Sequence, residues 1–450
     1  MTIASAAIHP WIGVAVILGA FVLLFAGVAV YARAGGPPEI TRKLVHAGSG
    51  ILTLAFPFLF RDAWPVLLLT GASAALIAAI KFMPALRRRF GGAVSGVDRS
   101  TLGELYFPVS VALVFWLTRG AHPLLFVIPI LVLTLADATC ALVGGRYGTI
   151  RYEGASKSLE GSIAFVVVAF FCIHVPLLLW TDLGRAETLL ISSTLALLVM
   201  LLEGSAWRGL DNLFIPIGGY FLLRAYVTFD APQLAARLAV TLTLVASIVV
   251  MRRRTTLEDD SLVAGAFLCY IAWAIMGWRW LVAPIVVFVG YKWLSPPTPD
   301  NSRRMHDVPA VLSVWAGALA WLTLAHGTHD DALLLPYTIV FASHLAIFGL
   351  SRLAYQFRDR SLTVLFSRAV AASWIIVMVP FVVTTSPGAS DIAAAVSIVA
   401  IALGAAAFVG VCDIRDAPQT TRRWVYQAGA AGIASLASWL ILVAVRRSWP

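Results

Sequence analysis

Long apolar runs separated by short polar segments recur along the whole chain. A helix of about 20 apolar residues crosses a hydrocarbon layer of ~30 Å, and the runs lack the alternation of a membrane β-barrel. The pattern therefore predicts an all-α polytopic membrane protein with 16 spans, within a range of 14 to 16. The first run, "WIGVAVILGAFVLLFAGVAVYA", has no basic leader or small-residue cleavage site, so we interpret it as an uncleaved span rather than a signal peptide.

Composition agrees with this class. Hydrophobic residues make up 60% of the chain, charged residues 12%, and the mean hydropathy is +0.88, which leaves too few polar residues to cover a soluble particle. The four cysteines lie in or beside apolar runs without C-x-x-C spacing, so we interpret them as small core residues rather than disulfide partners or zinc ligands.

The basic residues predict how the chain is oriented. The net charge of +10 is spread over short loops rather than gathered on one face, which argues against a nucleic-acid partner and favours contact with anionic membrane lipids. Alternate loops hold most of the 33 lysines and arginines. Because such residues are retained on the cytoplasmic side, these loops are predicted to be cytoplasmic, in a multi-pass protein of the bacterial inner membrane.

The acidic residues divide the chain near "MRRRTTLEDDS". All seven glutamates lie at or before this segment, and Asp137, Glu203 and Asp211 stand at the ends of apolar runs. Ionisable groups at membrane depth cost roughly 2.5 to 3.5 kcal/mol on insertion scales and are usually functional. We therefore predict a catalytic membrane domain over residues 1–250 and an additional multi-span domain of unknown role over residues 260–450.

A first polar cluster, "EITRKLVHAGSG", contains Arg42, Lys43 and His46. Arg42 and His46 are four residues apart and would share a helix face, with Lys43 beside them. Such a trio could clamp phosphate oxygens while the imidazole orients a substrate or takes a proton. The alternative is a basic membrane anchor with a packed histidine.

A second cluster starts at Asp137, "DATCALVGGRYGTIRYEGASKSLEGS", and is rich in glycine. The glycines would allow backbone amides to approach an anion, Lys157 would add positive charge, and Asp137 could hold Mg²⁺. It is not a Walker A loop, because Arg151 and Ser156 stand where that motif has glycine. The alternative is a flexible re-entrant connection. The glycines concerned are Gly144, Gly145, Gly148 and Gly154.

Two further clusters, "STLGELYFPVS" and "EGSAWRGLDNLFIPIGG", are predicted to open onto the same face as the first two. They contribute Glu104, Glu203, Asp211 and Asn212 as oxygen donors. Each could be a second metal ligand, a base or an ordinary helix cap.

At these residues the sequence resembles the polyprenol kinase family, which includes dolichol, phytol and farnesol kinases. "EITRKLVHAGSG" fits the pattern E-x-x-R-K-x-x-H-x-x-x-G, "GELYFP" resembles the phytol-kinase branch, and the second cluster fits D-x-x-A-x-x-x-G-x-x-x-G followed by K-[ST]-x-E-G-S. The resemblance covers about residues 40–225. Gly144, Gly145 and Gly148 can be aligned with the glycines of the motif in two ways.

The resemblance implies phosphoryl transfer from CTP to the hydroxyl of a membrane isoprenoid alcohol, with a divalent cation such as Mg²⁺, at the cytoplasmic face. It implies catalytic roles for Asp137, His46 and Glu160, with either of the last two orienting or deprotonating the hydroxyl. The remaining assignments are nucleotide or phosphate contacts by Arg42, Lys43, Gly144, Gly145, Gly148, Lys157 and Ser158, and metal contacts by Asp137, Glu104 and Asp211.

Other functions fit parts of this pattern. A related CTP-dependent diacylglycerol kinase, or a cytidylyltransferase that forms a CDP-lipid, would use a similar cluster. A transporter would suit the number of spans and the carboxylates within them. No inverted repeat is visible, however, and the carboxylates crowd one face instead of the midplane.

Overall fold

A computed structural model describes residues 9–83, 102–152, 157–206, 209–294, 306–385, 390–414 and 420–448. In these ranges the protein is helical, with no strands beyond two isolated β-bridges, so the predicted all-α fold is confirmed. A one-turn helix (Phe56–Leu59) and a 3₁₀ turn (Asp331–Leu333) accompany the main helices.

Sixteen longer helices follow one another along the described chain. They are α1 (Pro10–Arg33), α2 (Pro38–Thr53), α3 (Ala63–Phe82), α4 (Gly103–Leu117), α5 (Leu124–Tyr147), α6 (Leu159–Trp180), α7 (Arg185–Ser205), α8 (Asp211–Tyr226), α9 (Ala231–Met251), α10 (Asp259–Met276), α11 (Arg279–Leu294), α12 (Val308–Thr328), α13 (Leu334–Gln356), α14 (Leu362–Thr384), α15 (Ser390–Val411) and α16 (Thr421–Ser448).

Twelve helices in the described ranges are long and apolar enough to cross a membrane. Two shorter apolar helices, α4 and α11, bring the number to the lower end of the predicted range of 14 to 16. Helices α2 and α8 have 16 residues each and make up the remainder. The sidedness of the loops stays a prediction.

Local signals set several helix ends. Pro10 and Pro38 occupy first-turn positions of α1 and α2, where the missing amide hydrogen costs nothing. Ser158 and Asp307 cap α6 and α12 through their side chains. Gly277 ends α10 with φ 87°, a left-handed conformation that favours glycine.

The chain forms two compact units, Met1–Ser247 and Ile248–Pro450. In the first unit, α5 and α7 are the most buried candidate spans, with 56% and 67% of their apolar windows inside the protein. Helix α6 packs on α7 and on the end of α5, while α4 packs on α3 and α8. In the second unit, α13 is central, with 94% of its window buried, and is surrounded by α11, α12, α14, α15 and α16. The roles of the two predicted domains stay predictions.

Helix α5 changes its winding just before the predicted metal ligand. Residues Val132–Ala136 form a π-helical turn that ends at Asp137. Pro129 precedes this turn and cannot donate a backbone hydrogen bond, which disturbs the regular helix. A β-carbon added at Gly50 would collide with Thr134 in the π turn, so glycine allows α2 to approach α5 closely here. The two helices that carry the first two polar clusters are thereby brought together.

Candidate functional site

The first element of the site is a buried ion pair between α2 and α5. Lys43 Nζ lies 2.8 Å from Asp137 Oδ2 and 3.4 Å from the Asp137 backbone oxygen. Lys43 is 6% exposed and Asp137 8% exposed, so both charges are largely removed from water. Charges placed this deep are stable only when paired, and each residue supplies the partner that the other needs.

His46 lies one turn after Lys43 on the same face of α2 and shares the same carboxylate. Its Nε2 is 3.6 Å from Asp137 Oδ2 and 3.5 Å from the backbone oxygen of Leu133, within the π turn. The edge of the ring meets Phe107 of α4, with 5.3 Å between the ring centroids. The imidazole is thus held between α2, α4 and α5, with a ring nitrogen directed at the carboxylate.

Lys157 forms a second pair, with Glu203 at the end of α7. Its Nζ is 2.9 Å from Glu203 Oε1 and also contacts the Glu203 backbone oxygen. Backbone hydrogen bonds of 2.9 Å, from Tyr152 N to Lys157 O and from Leu159 N to Ile150 O, join the two arms of the loop that carries the lysine.

The charge on Lys157 depends on its carboxylate neighbours. Burial alone disfavours the ammonium, but Glu203, aided by Asp211, outweighs burial and holds the pKa of Lys157 above its ordinary value. Lys157 also interacts electrostatically with Asp137, so the two ion pairs belong to one cluster of charges.

Two glycines of the second cluster, Gly144 and Gly148, are packing residues. Gly144 and Gly145 lie inside α5, and Gly148 caps it with φ −68°, so the prediction of a flexible, non-helical glycine loop is wrong at these positions. A β-carbon at Gly144 would lie 2.9 Å from Ser158 Oγ, and one at Gly148 would lie 2.6 Å from the same atom. Gly145 faces open space, and Gly154 lies outside the described residues. A nucleotide contact by these glycines stays a prediction.

Ser158 and Glu160 stabilise the start of α6. Ser158 Oγ accepts a hydrogen bond of 3.2 Å from the Gly161 amide as the N-cap. Glu160 Oε1 accepts hydrogen bonds from the Thr149 amide at 2.9 Å, the Ile150 amide at 3.1 Å and the Thr149 hydroxyl. The predicted role of Ser158 at the nucleotide and that of Glu160 at the hydroxyl stay predictions. In the structure, both side chains accept hydrogen bonds from the protein backbone.

The remaining predicted residues lie around the two ion pairs. Arg42 pairs with Glu39 at 2.6 Å on the exposed side of α2. Glu104 Oε2 pairs with Lys81 Nζ at 3.1 Å. At the start of α8, the Asn212 amide group donates to the Gly103 oxygen at 2.9 Å, and its backbone amide donates to Asp211.

The three predicted metal ligands, Asp137, Glu104 and Asp211, are not gathered into one site. Within the described ranges, no group of three or more histidine, cysteine, aspartate or glutamate side chains is placed to hold a metal ion. Mg²⁺ sites often use only one or two carboxylates together with substrate phosphates, so this arrangement leaves the metal role of Asp137 as a prediction.

Comparison with known proteins identifies the family. The chain is 34% identical over 187 residues to phytol kinase of Synechocystis sp., which covers 40% of this chain and 77% of that protein. It is 35% identical over 85 residues to dolichol kinase of Saccharomyces cerevisiae, covering 19% of this chain and 16% of that protein. The chain belongs to the polyprenol kinase family. No family model and no solved structure shows a significant match to this member of the polyprenol kinase family.

The ion pairs of the structure were not predicted from the sequence. Glu203 was noted at the end of an apolar run and Lys157 in the glycine-rich cluster, yet their contact joins residues 46 positions apart. The pairing of Lys81 with Glu104 was not foreseen either. In this polyprenol kinase, the sequence shows which carboxylates lie at the ends of apolar runs. It does not indicate which cation each of them contacts.

Proposed function

We propose that this chain is a CTP-dependent kinase that phosphorylates the hydroxyl of a membrane isoprenoid alcohol, of the phytol, farnesol or polyprenol type, at the cytoplasmic face. Membership of the polyprenol kinase family makes it a phosphotransferase that acts on a lipid alcohol. The observation that carries the finer proposal is the convergence of Lys43, His46 and Asp137, with Lys157 in the same charge cluster.

The substrates differ so much in polarity that they would enter from different sides. The isoprenoid chain stays in lipid while its hydroxyl reaches the interface, and the nucleotide arrives from water. The transferred phosphoryl group carries several negative charges, and its transfer depends mainly on alignment and on neutralisation of that charge. Lys43 and Lys157, with Arg42 at the exposed edge, are the cations available for this purpose.

Asp137 suits a divalent cation. It uses Oδ2 for Lys43 and His46, which leaves Oδ1 outside these contacts. A carboxylate oxygen in this position fits the preference of Mg²⁺ for carboxylate ligands beside substrate phosphates. When bound, Mg²⁺ would neutralise charge on the phosphate oxygens.

The chain's own residues would align the alcohol and take its proton. The alcohol oxygen forms a bond to the γ-phosphorus as the bond to the β,γ-bridging oxygen breaks, and CDP leaves. His46 is the better placed of the two predicted proton acceptors. The oxygens of Asp137 and Leu133 beside its Nε2 favour a hydrogen on that nitrogen and leave Nδ1 to accept the proton, whereas Glu160 is engaged by the Thr149 and Ile150 segment. The lysines would remain on the phosphate oxygens throughout.

Labelled nucleotides test this function directly. Full-length protein in lipid nanodiscs is incubated with Mg²⁺, CTP or ATP, and a panel of phytol, farnesol, a long polyprenol and diacylglycerol. We expect γ-labelled CTP to label an isoprenoid alcohol and α-labelled CTP to leave it unlabelled. Label from α-labelled CTP would indicate a cytidylyltransferase. Label on diacylglycerol alone would indicate a diacylglycerol kinase, and label on no lipid would contradict the proposal.

A further inference from the structure

Two oxygens of Glu203 contact the partly buried ammonium of Lys157. The residue is 4% exposed and lies in the last turn of α7, away from the motif segments that contain Lys43, Asp137 and Lys157. Both its carboxylate Oε1 and its backbone oxygen contact Lys157 Nζ. A lysine side chain has about 2 kcal/mol of rotamer entropy to lose, so two acceptors from one residue confine it effectively.

The second carboxylate oxygen of Glu203 indicates that this residue does more than form an internal ion pair with Lys157. Oε2 is fully buried and has no hydrogen-bond partner among the described residues. Leaving a buried polar atom unsatisfied costs about 1–3 kcal/mol, and more when it carries charge. An arrangement that served stability alone would satisfy both oxygens, so an atom kept in this state suits a site that a hydrogen-bond donor of a bound substrate completes.

The pair also repeats the arrangement at Asp137. In both cases a lysine from a polar segment is held at 2.8 to 2.9 Å by a carboxylate on a buried apolar helix, α5 for Asp137 and α7 for Glu203. The two pairs interact electrostatically. Glu203 thus pairs with Lys157 in the same way as Asp137 pairs with Lys43.

We propose that Glu203 is a positioning residue of the phosphoryl-transfer centre, acting through Lys157. It keeps the ammonium charged and confined where a bound triphosphate can reach it. The inference rests on the proposed function and assigns to that site a carboxylate from outside the three segments that carry the resemblance.

A double-mutant cycle on the full-length protein tests the inference. The variants are Glu203→Gln, Lys157→Met and the double variant, compared by KM for CTP, kcat and equilibrium binding of CTP without alcohol. We expect Glu203→Gln to raise the KM and Kd for CTP roughly tenfold, the size of a typical coupling between contacting charges, with KM for the alcohol unchanged. In the Lys157→Met background, Glu203→Gln should have no further effect.

Control variants separate positioning from folding. Asp259→Asn removes a buried carboxylate of the second unit that pairs with Arg252 at 2.9 Å, and it should leave the Kd for CTP unchanged. Should Glu203→Gln fail to fold, Glu203→Asp keeps the charge one methylene shorter and should give an intermediate Kd. Multiplying effects in the double variant, or an unchanged Kd in a folded Glu203 variant, would overturn the inference. Absence of lipid phosphorylation by the unaltered protein would instead count against the proposed function.

Discussion

Lys43 and Asp137 lie 94 positions apart in the chain and form a buried contact of 2.8 Å between Nζ and Oδ2. Desolvation of two charges offsets most of their attraction, so a buried ion pair contributes little net stability compared with a well-packed apolar pair. Removing only one partner is costly, however, because it leaves an uncompensated charge. We therefore expect the pair to serve the proposed chemistry of the site rather than the stability of the fold.

Single and double substitutions can separate these two effects. Asp137→Asn should destabilise the protein by about 3–5 kcal/mol, because it leaves the Lys43 ammonium without a counter-charge. Adding Lys43→Met should restore much of that stability by removing the stranded charge. Thermal unfolding of the purified variants in detergent measures this recovery.

Phosphorylation of the lipid should not recover together with stability in the same variants. The double variant should stay at background turnover, because both the cation and the carboxylate are gone. Turnover that returned together with thermal stability would mean that the Lys43 and Asp137 pair serves only the fold.

Neighbouring glycines provide a matched comparison on α5. Gly144→Ala places a β-carbon 2.9 Å from Ser158 Oγ, whereas Gly145→Ala places one in open space. We expect Gly144→Ala to lower stability by about 1–3 kcal/mol, as overpacking does. Gly145→Ala should raise it by up to about 1 kcal/mol, since alanine favours the helix. Thermal unfolding of both variants provides the measurement.

The same two variants also test the nucleotide contact predicted from the sequence. A stable Gly145→Ala variant with a raised KM for CTP would indicate that the nucleotide approaches this exposed backbone. If Gly145→Ala destabilised the protein as much as Gly144→Ala, the packing described for α5 and α6 would be contradicted.

The fold was predictable because membrane insertion constrains single segments. The segment Leu124–Tyr147 is predominantly apolar, and no other part of the chain is needed to interpret it as a span. The polar end of the same run misled the prediction. Glycines at 144 and 145 permit either a loop or a close helix crossing, and only the position of Ser158 on the neighbouring helix decides between them.

Candidate residues of the site could be identified from the sequence, but the contacts between them could not. Arg42 and His46 were expected on one helix face with Lys43 beside them. In the structure Lys43 and His46 meet Asp137, whereas Arg42 pairs with Glu39. The contact with Asp137 depends on Gly50 and Thr134 allowing α2 to approach the π turn of α5, a tertiary fit that residue spacing does not encode. Glu160 was assigned to the hydroxyl, whereas its oxygens bind the Thr149 and Ile150 segment.

Substitution by glutamine can show whether His46 or Glu160 is the proton acceptor. His46→Gln should lower kcat by about 10²- to 10⁴-fold, as loss of a general base does, with little change in the amount of folded protein. Glu160→Gln should instead weaken the turn before α6, so that activity per folded molecule changes much less. Kinetics normalised to the folded fraction make the comparison. A larger loss of kcat in the Glu160 variant would reverse the assignment.

The orientation of the site can be tested at the two ends of α5. This helix of 24 residues is about 36 Å long, sufficient to cross the membrane. Ala121 and Arg151 are exposed just beyond its ends. In a background without the four native cysteines, Arg151→Cys should react with an impermeant maleimide only in inverted vesicles, and Ala121→Cys only in intact cells. Labelling of Arg151→Cys from outside would place the Lys157 loop away from cytosolic CTP, and the proposed entry of the nucleotide would then be wrong.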